Sequence, residues 1–364
     1  MADRGAAAVR VAIVHDYLNQ YGGAERVLEA LHDIFPEAPV YTSIYDPAAM
    51  PAHYRSWDIR TSWMQQLPGW RRLFRAYFLL YPSAFEGFNL SEYDLILSSS
   101  SAFAKGVLPP PGARHICYCH TPMRFAWRSA DYMAREGFGV VVRAALSVLL
   151  SHVRLWDVVS SQRVDHFVAN SQVVAARIQR YYGRSADVIA PPVDLPHFTP
   201  QPPGTYYLTG GRLVPYKRID LAVLVCSRLG LPLKVFGEGR DRSALEAIAG
   251  PTIEFLGHVD ETRRQELFAG CRAFLFPGEE DFGITPLEAM AAGRPVIAYA
   301  AGGALDTIVD GVTGRFFGQQ HPADLAEAIA IAAADSYDPC VIRRHAEQFG
   351  RERFTQRIRA VVGA

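Results

Sequence analysis

Short apolar runs alternate with segments of helical periodicity along most of this 364-residue chain. The runs predict strands at residues 11–14, 95–97, 115–118 and 166–169 in the first half, and at 206–208, 233–236, 253–256, 273–276 and 295–297 in the second. Short apolar runs separated by helices are typical of parallel strands that are covered on both faces. The pattern therefore predicts an α/β fold, and the length of the chain predicts two domains.

A proline-rich stretch separates the two halves of this pattern. Six prolines lie between Pro191 and Pro203, and proline removes backbone donors and fixes φ. We therefore expect an N-terminal domain at 1–190, a stiff linker at 191–203, a second domain at 204–339, and a C-terminal helix at 340–364 that packs back across the domains. Two Rossmann-like domains would turn their parallel sheets toward an inter-domain cleft, where ligands bind at the carboxyl ends of strands.

The composition narrows the class of protein. The formal net charge is zero and the isoelectric point is near 7.2, which gives no indication of a nucleic-acid partner. The five cysteines lack paired spacing, which predicts reduced thiols, with Cys117 and Cys119 buried rather than bound to metal. No apolar leader precedes Val11, and the longest apolar run, residues 140–150, is too short to span a membrane. We expect a cytoplasmic protein that is not integral to a membrane.

Two carboxylates, Glu280 and Glu288, lie eight residues apart around a glycine-containing turn. A predicted strand precedes them, and a helix is expected from Thr285. Strand, loop and helix start in this order bring free backbone amides and acceptor carboxylates to one crevice. Amides bind phosphate and carboxylates bind diols, so the arrangement indicates a sugar nucleotide. A surface loop with ordinary acidic residues is the alternative for so short a motif.

A second candidate site follows the first predicted strand of the second half. Gly210 and Gly211 allow close backbone approach, and Arg212 and Lys217 supply positive charge before a helix expected from residue 216 or 217. This combination favours a diphosphate ligand over the alternative, a glycine turn with solvated basic residues.

Two observations bear on cofactors. No Asp-x-Asp pair occurs in the sequence, so we expect Arg212 and Lys217, rather than a metal ion, to neutralise a leaving diphosphate. The glycines at 237 and 239 are similar to a dinucleotide fingerprint, but Arg242 occupies its sixth position, which argues against a nicotinamide cofactor.

His120 follows another predicted strand and precedes Pro122. Its place at a strand end predicts a side chain that projects into the cleft, and a packed core histidine is the equally weighted alternative.

Several of these motifs, taken in order, resemble the family 4 retaining glycosyltransferases of the GT-B fold. The resemblance covers almost the whole chain and rests on residues 21–26, 119–122, 169–171, 191–194, 211–213 with Lys217, 236–239 and 280–288. Within the family, residues 120–127 together with 154–157 look like the mannosyltransferases of bacterial polysaccharide and O-antigen assembly.

The resemblance implies a role for each matching residue. Gly22 and Gly23 would bring backbone amides to the donor diphosphate, which Arg212 and Lys217 would also bind. Glu288 would bind the ribose, and the nucleoside would lodge near Glu238 and the turn at 257–259. Glu280, the amides of 282 and 283, and His120 would contact the transferred sugar.

The catalytic set implied by the resemblance is therefore His120, Arg212, Lys217 and Glu280. The donor-binding set is Gly22, Gly23, Gly211, Arg212, Lys217, Glu238, His258, Val259, Glu280, Phe282, Gly283, Ile284 and Glu288.

The expected activity is metal-independent transfer of a hexose, with retention, to a saccharide or lipid-linked saccharide. GDP-mannose is the preferred donor and a UDP-hexose is the second choice. A sugar-nucleotide epimerase of the same architecture and a non-catalytic binding subunit are the competing hypotheses.

Aromatic and basic residues interleave between Trp57 and Phe88. This composition predicts contact with an anionic membrane surface on its cytoplasmic side. The equally weighted alternative places the same aromatic side chains in the core or along an acceptor cleft.

Overall fold

The computed structural model describes residues 9–128, 140–195 and 201–363. These residues form two compact units. The N-terminal unit contains residues up to 190 together with 355–364, and the C-terminal unit contains residues 191–354. Residues 1–8, where no leader was predicted, lie outside the described residues, as do Pro196 and Pro200 of the predicted linker.

The described part of the N-terminal unit contains a seven-stranded sheet in the order β3-β2-β1-β4-β5-β6-β7, in which every neighbouring pair is parallel. Its strands are β1 (Val11–His15), β2 (Val40–Thr42), β3 (Ile59–Thr61), β4 (Leu95–Ser100), β5 (Arg114–Cys119), β6 (His166–Ala169) and β7 (Ala186–Val188). The helices are α1 (Gly23–Ile34), α2 (Trp70–Leu73), α3 (Tyr81–Glu86), α4 (Arg124–Trp127), α5 (Val140–Ser161) and α6 (Gln172–Tyr182). Short 3₁₀ helices occur at Ala52–Ser56, Trp63–Gln66 and Ala104–Gly106.

The C-terminal unit contains a six-stranded parallel sheet in the order β10-β9-β8-β11-β12-β13 among its described residues. Its strands are β8 (Tyr207–Gly210), β9 (Leu233–Phe236), β10 (Ile253–Gly257), β11 (Phe274–Phe276), β12 (Val296–Tyr299) and β13 (Gly314–Phe317). The helices that follow in the chain are α7 (Ile219–Leu229), α8 (Arg242–Ala247), α9 (Glu261–Gly270), α10 (Ile284–Ala291), α11 (Ala304–Thr307), α12 (Pro322–Ala334), α13 (Pro339–Glu347) and α14 (Arg351–Val362).

These two sheets confirm the predicted α/β class with two Rossmann-like domains. The inner strands are buried on both faces, as the apolar runs predicted; Ala12, Ile13 and Val14 of β1, for example, are fully buried. In each sheet the strand order reverses beside the first strand, between β1 and β4 in one unit and between β8 and β11 in the other. The loops leave neighbouring strands in opposite directions there, which opens a crevice at their carboxyl ends.

The single C-terminal helix predicted over 340–364 is instead two helices, α13 and α14, with a break at residues 348–350. Gly350 in the break pairs with Val193 as an isolated parallel bridge, and the Val193 amide donates to Phe349 O at 3.0 Å. Most of α14 belongs to the N-terminal unit, whereas α13 belongs to the C-terminal unit.

His115 lies on β5 of the N-terminal sheet, and we expect it to make the stability of this unit depend on pH. Its ring is fully buried between Ser98 Oγ at 2.9 Å and the Arg163 carbonyl oxygen at 3.2 Å. Burial lowers the pKa of His115 to about 4, below the ordinary 6.5. Between these two values the unfolded chain binds the proton and the folded protein does not, so acidification favours unfolding. We expect the free energy of unfolding to fall by about 2 kcal/mol between pH 7 and pH 5.

Urea titrations at the two pH values would measure this loss, with a His115→Asn variant as the reference for all other titrating groups. An equal pH dependence in the wild type and the variant would contradict the assignment.

Candidate functional site

The loops that follow β8 and β11 bring a cation and a carboxylate together at the switch point of the C-terminal sheet. Lys217 Nζ lies 2.8 Å from Glu280 Oε1, and both side chains are largely buried. Glu280 Oε1 finds no aligned hydrogen bond among the described residues, so the contact is a close ion pair. Burial lowers the pKa of Lys217, but the interactions with Glu280 together outweigh the burial and hold that pKa above its usual value.

Two glycines allow the Lys217 side chain and backbone to occupy this position. Gly211 has a φ of 110°, and a Cβ there would lie 3.1 Å from Lys217 Nζ. A Cβ on Gly278 would lie 2.7 Å from Lys217 Cα, closer than any side chain can approach. Gly211 and Gly278 therefore allow the close packing of these two loops.

The helix expected from residue 216 or 217 begins later. Lys217 ends a short 3₁₀ helix, Pro215–Lys217, and α7 starts at Ile219. Arg218 between them has a φ of 51°, a left-handed conformation that interrupts the helix. Arg212 is exposed, and its Nη2 donates to Tyr216 Oη at 3.5 Å.

The loop from Glu280 to α10 matches the predicted strand, loop and helix order. The Glu280 carbonyl oxygen accepts from Gly303 N at 3.0 Å, and the Phe282 side chain is buried. Gly283, with a φ of 84°, caps a helix that starts at Ile284, one residue before the predicted Thr285. Its left-handed conformation ends the loop and starts the helix one residue earlier.

Glu288, on α10, has a cationic partner that the sequence did not indicate. Arg264 on α9 lies 3.1 Å from Glu288 Oε1, and both side chains are mostly buried. Arg264 also pairs with Glu261 on its own helix. The pattern of α9 gave no signal for this role, because the contact depends on how α9 packs against α10.

The residues predicted for nucleoside binding are neighbours in the structure. Gly237 N donates to Gly257 O at 2.6 Å, which joins the ends of β9 and β10. A Cβ on Gly257 would lie 2.9 Å from Glu238 Oε1, and Glu238 is paired with Arg242. His258 is exposed and Val259 is half-buried beside this turn.

In the N-terminal unit, the glycines at 22 and 23 form the start of α1. Gly23 is the first helical residue and Gly22 is the cap, with an extended φ of −165°. Glycine brings no side-chain oxygen to the first amides of the helix, so Gly22 leaves them to other acceptors. Glu25 in the same first turn is buried.

His120 lies directly after β5 and is held by hydrogen bonds of its ring, its amide and its carbonyl. Its Nε2 lies 2.8 Å from Ser99 Oγ, its amide donates to Ser100 O at 2.8 Å, and its carbonyl accepts from Asn170 Nδ2 at 3.0 Å. Asn170 belongs to the motif at 169–171, which thus positions the His120 backbone.

The sequence analysis did not identify His15 and Ser99, which connect His120 to Glu25. His15 Nδ1 lies 3.1 Å from Ser99 Oγ, and His15 Nε2 lies 3.6 Å from Glu25 Oε1. The register of β1 and β4 pairs His15 with Ser99. Only the strand order brings these positions together, although each stands at the carboxyl end of an apolar run.

Residues 120–127 and 154–157, which carry the resemblance to bacterial mannosyltransferases, contribute Trp127 and Asp157 to a buried network. Asp157 accepts from Trp127 Nε1 at 2.7 Å and from Tyr182 Oη at 2.9 Å, and it is ion-paired with Lys105. Arg154 Nη1 donates to Ala126 O at 2.9 Å. The network stabilises the packing of α4, α5 and α6.

The described residues contain neither a cluster of metal ligands nor a membrane-spanning helix. No group of three or more His, Cys, Asp or Glu side chains there is arranged to hold a metal ion. No helix within the same residues is long and apolar enough to cross a membrane. The five cysteines are free thiols, with Cys117 and Cys119 buried as predicted.

Two family models match consecutive parts of the chain. "Glycosyltransferase Family 4" matches residues 21–196, and "Glycosyl transferases group 1" matches residues 199–353. Between them the two matches cover most of the chain. The protein therefore belongs to the glycosyltransferases that combine these two domains, which confirms the resemblance seen in the motifs.

Curated relatives with named activities match parts of the chain. The GDP-mannose-dependent alpha-mannosyltransferase of Mycolicibacterium smegmatis is 32% identical over 198 residues, covering 51% of this chain and 50% of the relative. The D-inositol 3-phosphate glycosyltransferase of Geodermatophilus obscurus is 29% identical over 228 residues, covering 52% and 50%. The chain spans about half the length of these two relatives.

Solved structures confirm the fold over almost the whole chain. Anabaena HepE, crystallised in complex with UDP, superposes with a TM-score of 0.71 at 18% identity, covering 98% of this chain and 100% of HepE. The fold is GT-B.

The Arg264–Glu288 contact leads to a prediction about donor affinity. Arg264→Ala is expected to raise the donor KM with a smaller effect on kcat, because Glu288 loses the guanidinium that orients it. If Glu288 binds the ribose, as the family resemblance implies, Glu288→Gln should raise the KM about ten-fold, since a charge-assisted acceptor for two hydroxyls would be lost. Steady-state kinetics with varied donor would measure both changes.

The matched control is Arg263→Ala, one residue earlier on α9, where the side chain is exposed and pairs with Glu266. An Arg264→Ala variant with the donor KM of Arg263→Ala would show that Arg264 does not orient Glu288.

Proposed function

We propose that this protein is a retaining hexosyltransferase that uses a nucleoside-diphosphate sugar as donor. The observation that carries the proposal is the ion pair of Lys217 and Glu280 at 2.8 Å, at the carboxyl ends of adjacent parallel strands. It puts a cation for a diphosphate beside a carboxylate for sugar hydroxyls. Membership of the glycosyltransferases supports the same chemistry.

In the proposed reaction, the bond between the anomeric carbon and the diphosphate oxygen breaks, and its electron pair leaves with the diphosphate. The acceptor hydroxyl attacks from the same face and forms the new glycosidic bond. The departing phosphate oxygen takes the acceptor proton. Lys217 and Arg212 stabilise the charge that develops on the diphosphate, which lowers the barrier to its departure.

The other residues bind and orient the donor. Glu280 holds the sugar hydroxyls, Glu288 holds the ribose, and the amides at the start of α1 approach the diphosphate. We assign His120 to the transferred sugar, as the family resemblance implies.

GDP-mannose is the donor we propose. It is supported by the GDP-mannose-dependent mannosyltransferase, which is 32% identical over half of this chain. The proposed acceptor is a saccharide or lipid-linked saccharide. The relatives named D-inositol 3-phosphate glycosyltransferases favour a phosphorylated polyol as the second candidate acceptor.

Incubation with GDP-mannose, UDP-glucose and UDP-galactose, with and without a mixed acceptor set, would test the proposal. We expect release of GDP and a glycosylated acceptor of retained anomeric configuration. Conversion of the free sugar nucleotide into its epimer would identify an epimerase instead. Binding of donor with no turnover on any acceptor would favour a non-catalytic subunit.

We also propose that catalysis requires no metal, because Arg212 and Lys217 supply positive charge for the leaving group. Initial rates should then be unchanged by EDTA. A rate restored only by added Mn²⁺ or Mg²⁺ would overturn this part of the proposal.

The segment at 57–88 supports a membrane contact in part only. Several of its aromatic side chains belong to the core: Tyr81 and Phe85 are buried, and Trp70 packs against the core cluster. An exposed set of apolar and basic side chains is left on the surface of this segment. It consists of Trp63, Leu73, Leu79, Arg71, Arg72 and Arg75. We propose that this set, the 63–79 patch, binds anionic lipid on the cytoplasmic side of a membrane.

Sedimentation with phosphatidylserine-containing vesicles would measure this binding, which should weaken as salt rises. Arg72→Glu with Arg75→Glu is expected to abolish it, because both side chains are exposed. The matched control is Arg357→Glu with Arg359→Glu, two exposed arginines of α14. Equal vesicle binding by both double variants would remove the reason to assign the 63–79 patch to the membrane.

A further inference from the structure

Four buried or half-buried polar groups form a continuous chain in the N-terminal unit. Glu25 Oε1 lies 3.6 Å from His15 Nε2, His15 Nδ1 lies 3.1 Å from Ser99 Oγ, and Ser99 Oγ lies 2.8 Å from His120 Nε2. We call these residues the histidine chain. His15, Glu25 and Ser99 are almost completely removed from solvent, so the contacts between them are not exchanged for contacts with water.

The fold places the histidine chain at the switch point of the sheet. His15 is the last residue of β1, Ser99 is its register partner on β4, and His120 follows β5. Glu25 comes from the first turn of α1. The histidine chain thus connects the start of α1 with His120, the residue that we assign to the transferred sugar.

Asp16 holds the ends of β1 and β4 in place beside the chain. Its carboxylate accepts from the amides of Ser101, Ala102, Phe103 and Ala104 at 2.6–3.0 Å. The backbone that carries Ser99 is therefore tied to the residue after His15. A hydroxyl between two imidazoles needs such fixed backbones, because small displacements would break one of its two hydrogen bonds.

The proton positions along the chain follow from the carboxylate at one end. The negative charge of Glu25 favours the tautomer in which His15 carries its proton on Nε2, toward the carboxylate. Nδ1 of His15 is then an acceptor, so the Ser99 hydroxyl donates to it. The Ser99 oxygen in turn accepts from Nε2–H of His120, which makes Nδ1 of His120 the acceptor nitrogen.

We propose that Glu25, His15 and Ser99 are positioning residues that hold His120 in the Nε2–H tautomer. This inference rests on the proposed function, in which His120 contacts the donor sugar. A neutral His120 with an acceptor Nδ1 receives a hydrogen bond from a sugar hydroxyl, whereas the other tautomer would present a donor. The histidine chain therefore determines whether His120 Nδ1 accepts or donates a hydrogen bond to the sugar. The carboxylate of Glu25 exerts this effect without touching the sugar.

Two substitutions interrupt the chain in different ways. Glu25→Gln keeps the shape of the side chain but removes its charge, and the new amide can also donate to His15 Nε2. When the amide faces Nε2 in this way, the His15 proton is favoured on Nδ1. The Ser99 hydroxyl then accepts from His15 and donates to His120 Nε2, which moves the His120 proton to Nδ1. Ser99→Ala removes the hydroxyl, so that His15 no longer communicates with His120.

Nitrogen NMR of protein labelled at histidine reports the tautomer directly, with the His120 signals assigned by their loss in His120→Gln. In the wild type we expect a protonated Nε2 and an unprotonated Nδ1. Both Glu25→Gln and Ser99→Ala should increase the population with a protonated Nδ1. We also expect kcat to fall about ten-fold in each, with little change in the donor KM.

Glu29→Gln is the matched control. Glu29 lies one turn further along α1, where it contacts Tyr21 Oη at 3.0 Å and His53 Nε2 at 2.9 Å. It should leave the His120 nitrogen shifts and kcat unchanged.

A His120 protonated on Nδ1 in the wild type, or nitrogen shifts that are the same in Glu25→Gln, Ser99→Ala and Glu29→Gln, would overturn the inference. Absence of transferase activity with the expected tautomer response would contradict the proposed function and leave the tautomer assignment supported.

Discussion

Lys217→Ala is expected to lower kcat/KM by roughly 30- to 1,000-fold, which corresponds to about 2–4 kcal/mol of transition-state stabilisation. The Lys217 ammonium is preorganised by Glu280 at 2.8 Å and by the close approach of Gly211 and Gly278. A charge held in place before the reaction stabilises a leaving diphosphate without reorganisation during it. Most of the loss should therefore appear in kcat, measured at saturating donor.

Lys234→Ala is the matched control in the same unit, because Lys234 pairs with Glu254 at 3.3 Å on strands β9 and β10, away from the β8–β11 switch point. Lys217→Arg should recover part of the activity by retaining the charge. Near-wild-type rates in Lys217→Ala would contradict the phosphate assignment. A loss as large in Lys234→Ala would point to a general effect on the unit.

The largest effect on stability is expected for Asp157→Ala, which should lower the free energy of unfolding of the N-terminal unit by about 3–5 kcal/mol. The Asp157 carboxylate is fully buried, pairs with the buried Lys105, and accepts from Trp127 and Tyr182. Its removal leaves an ammonium in the interior without its counter-charge and two donors without their acceptor. Urea titration followed by tryptophan fluorescence and by circular dichroism would measure the change.

Asp58→Ala provides the comparison, because Asp58 pairs with Arg60 at the surface, where both side chains are about half exposed. That substitution should change the free energy of unfolding by no more than about 1 kcal/mol. Replacement of both buried partners, with Lys105→Met and Asp157→Leu, should recover part of the loss, since no single charge is left buried. Equal losses in Asp157→Ala and Asp58→Ala would show that the buried pair does not stabilise the unit.

The strands show how far the hydrophobic pattern could predict the fold. Each of the nine predicted strands occurs, with ends that differ by three residues or fewer. The four that were missed are short or carry polar and glycine residues, namely β2, β3, β7 and β13. β4 extends three residues beyond its apolar run, through Ser98, Ser99 and Ser100, which are buried. Buried serines look like a loop in the sequence, because their hydrogen-bond partners lie on other strands.

The candidate site was predictable where a motif is local. Gly283 and the helix that follows it, the strand before Glu280, and the cations after β8 could each be found from neighbouring residues. The contact of Arg264 with Glu288 could not be predicted, because Arg264 lies on another helix. Nothing in the sequence around Arg264 distinguishes it from an exposed arginine. Trp127 and Asp157 belong to the motifs of the family resemblance. Those motifs did not indicate that both residues share a buried network with Lys105 and Tyr182.

The sequence by itself determined the types of chemical groups and the local elements that hold them: strands from apolar runs, turns from glycine, and cations and carboxylates at strand ends. The tertiary structure decided which of these groups meet. Lys217 meets Glu280 because β8 and β11 are neighbours, and His15 reaches Ser99 because β1 and β4 are paired in register. Hydrogen-bonding capacity belongs to a residue type, whereas a distance between strand ends depends on sheet order, and sheet order is set by the packing of the whole chain.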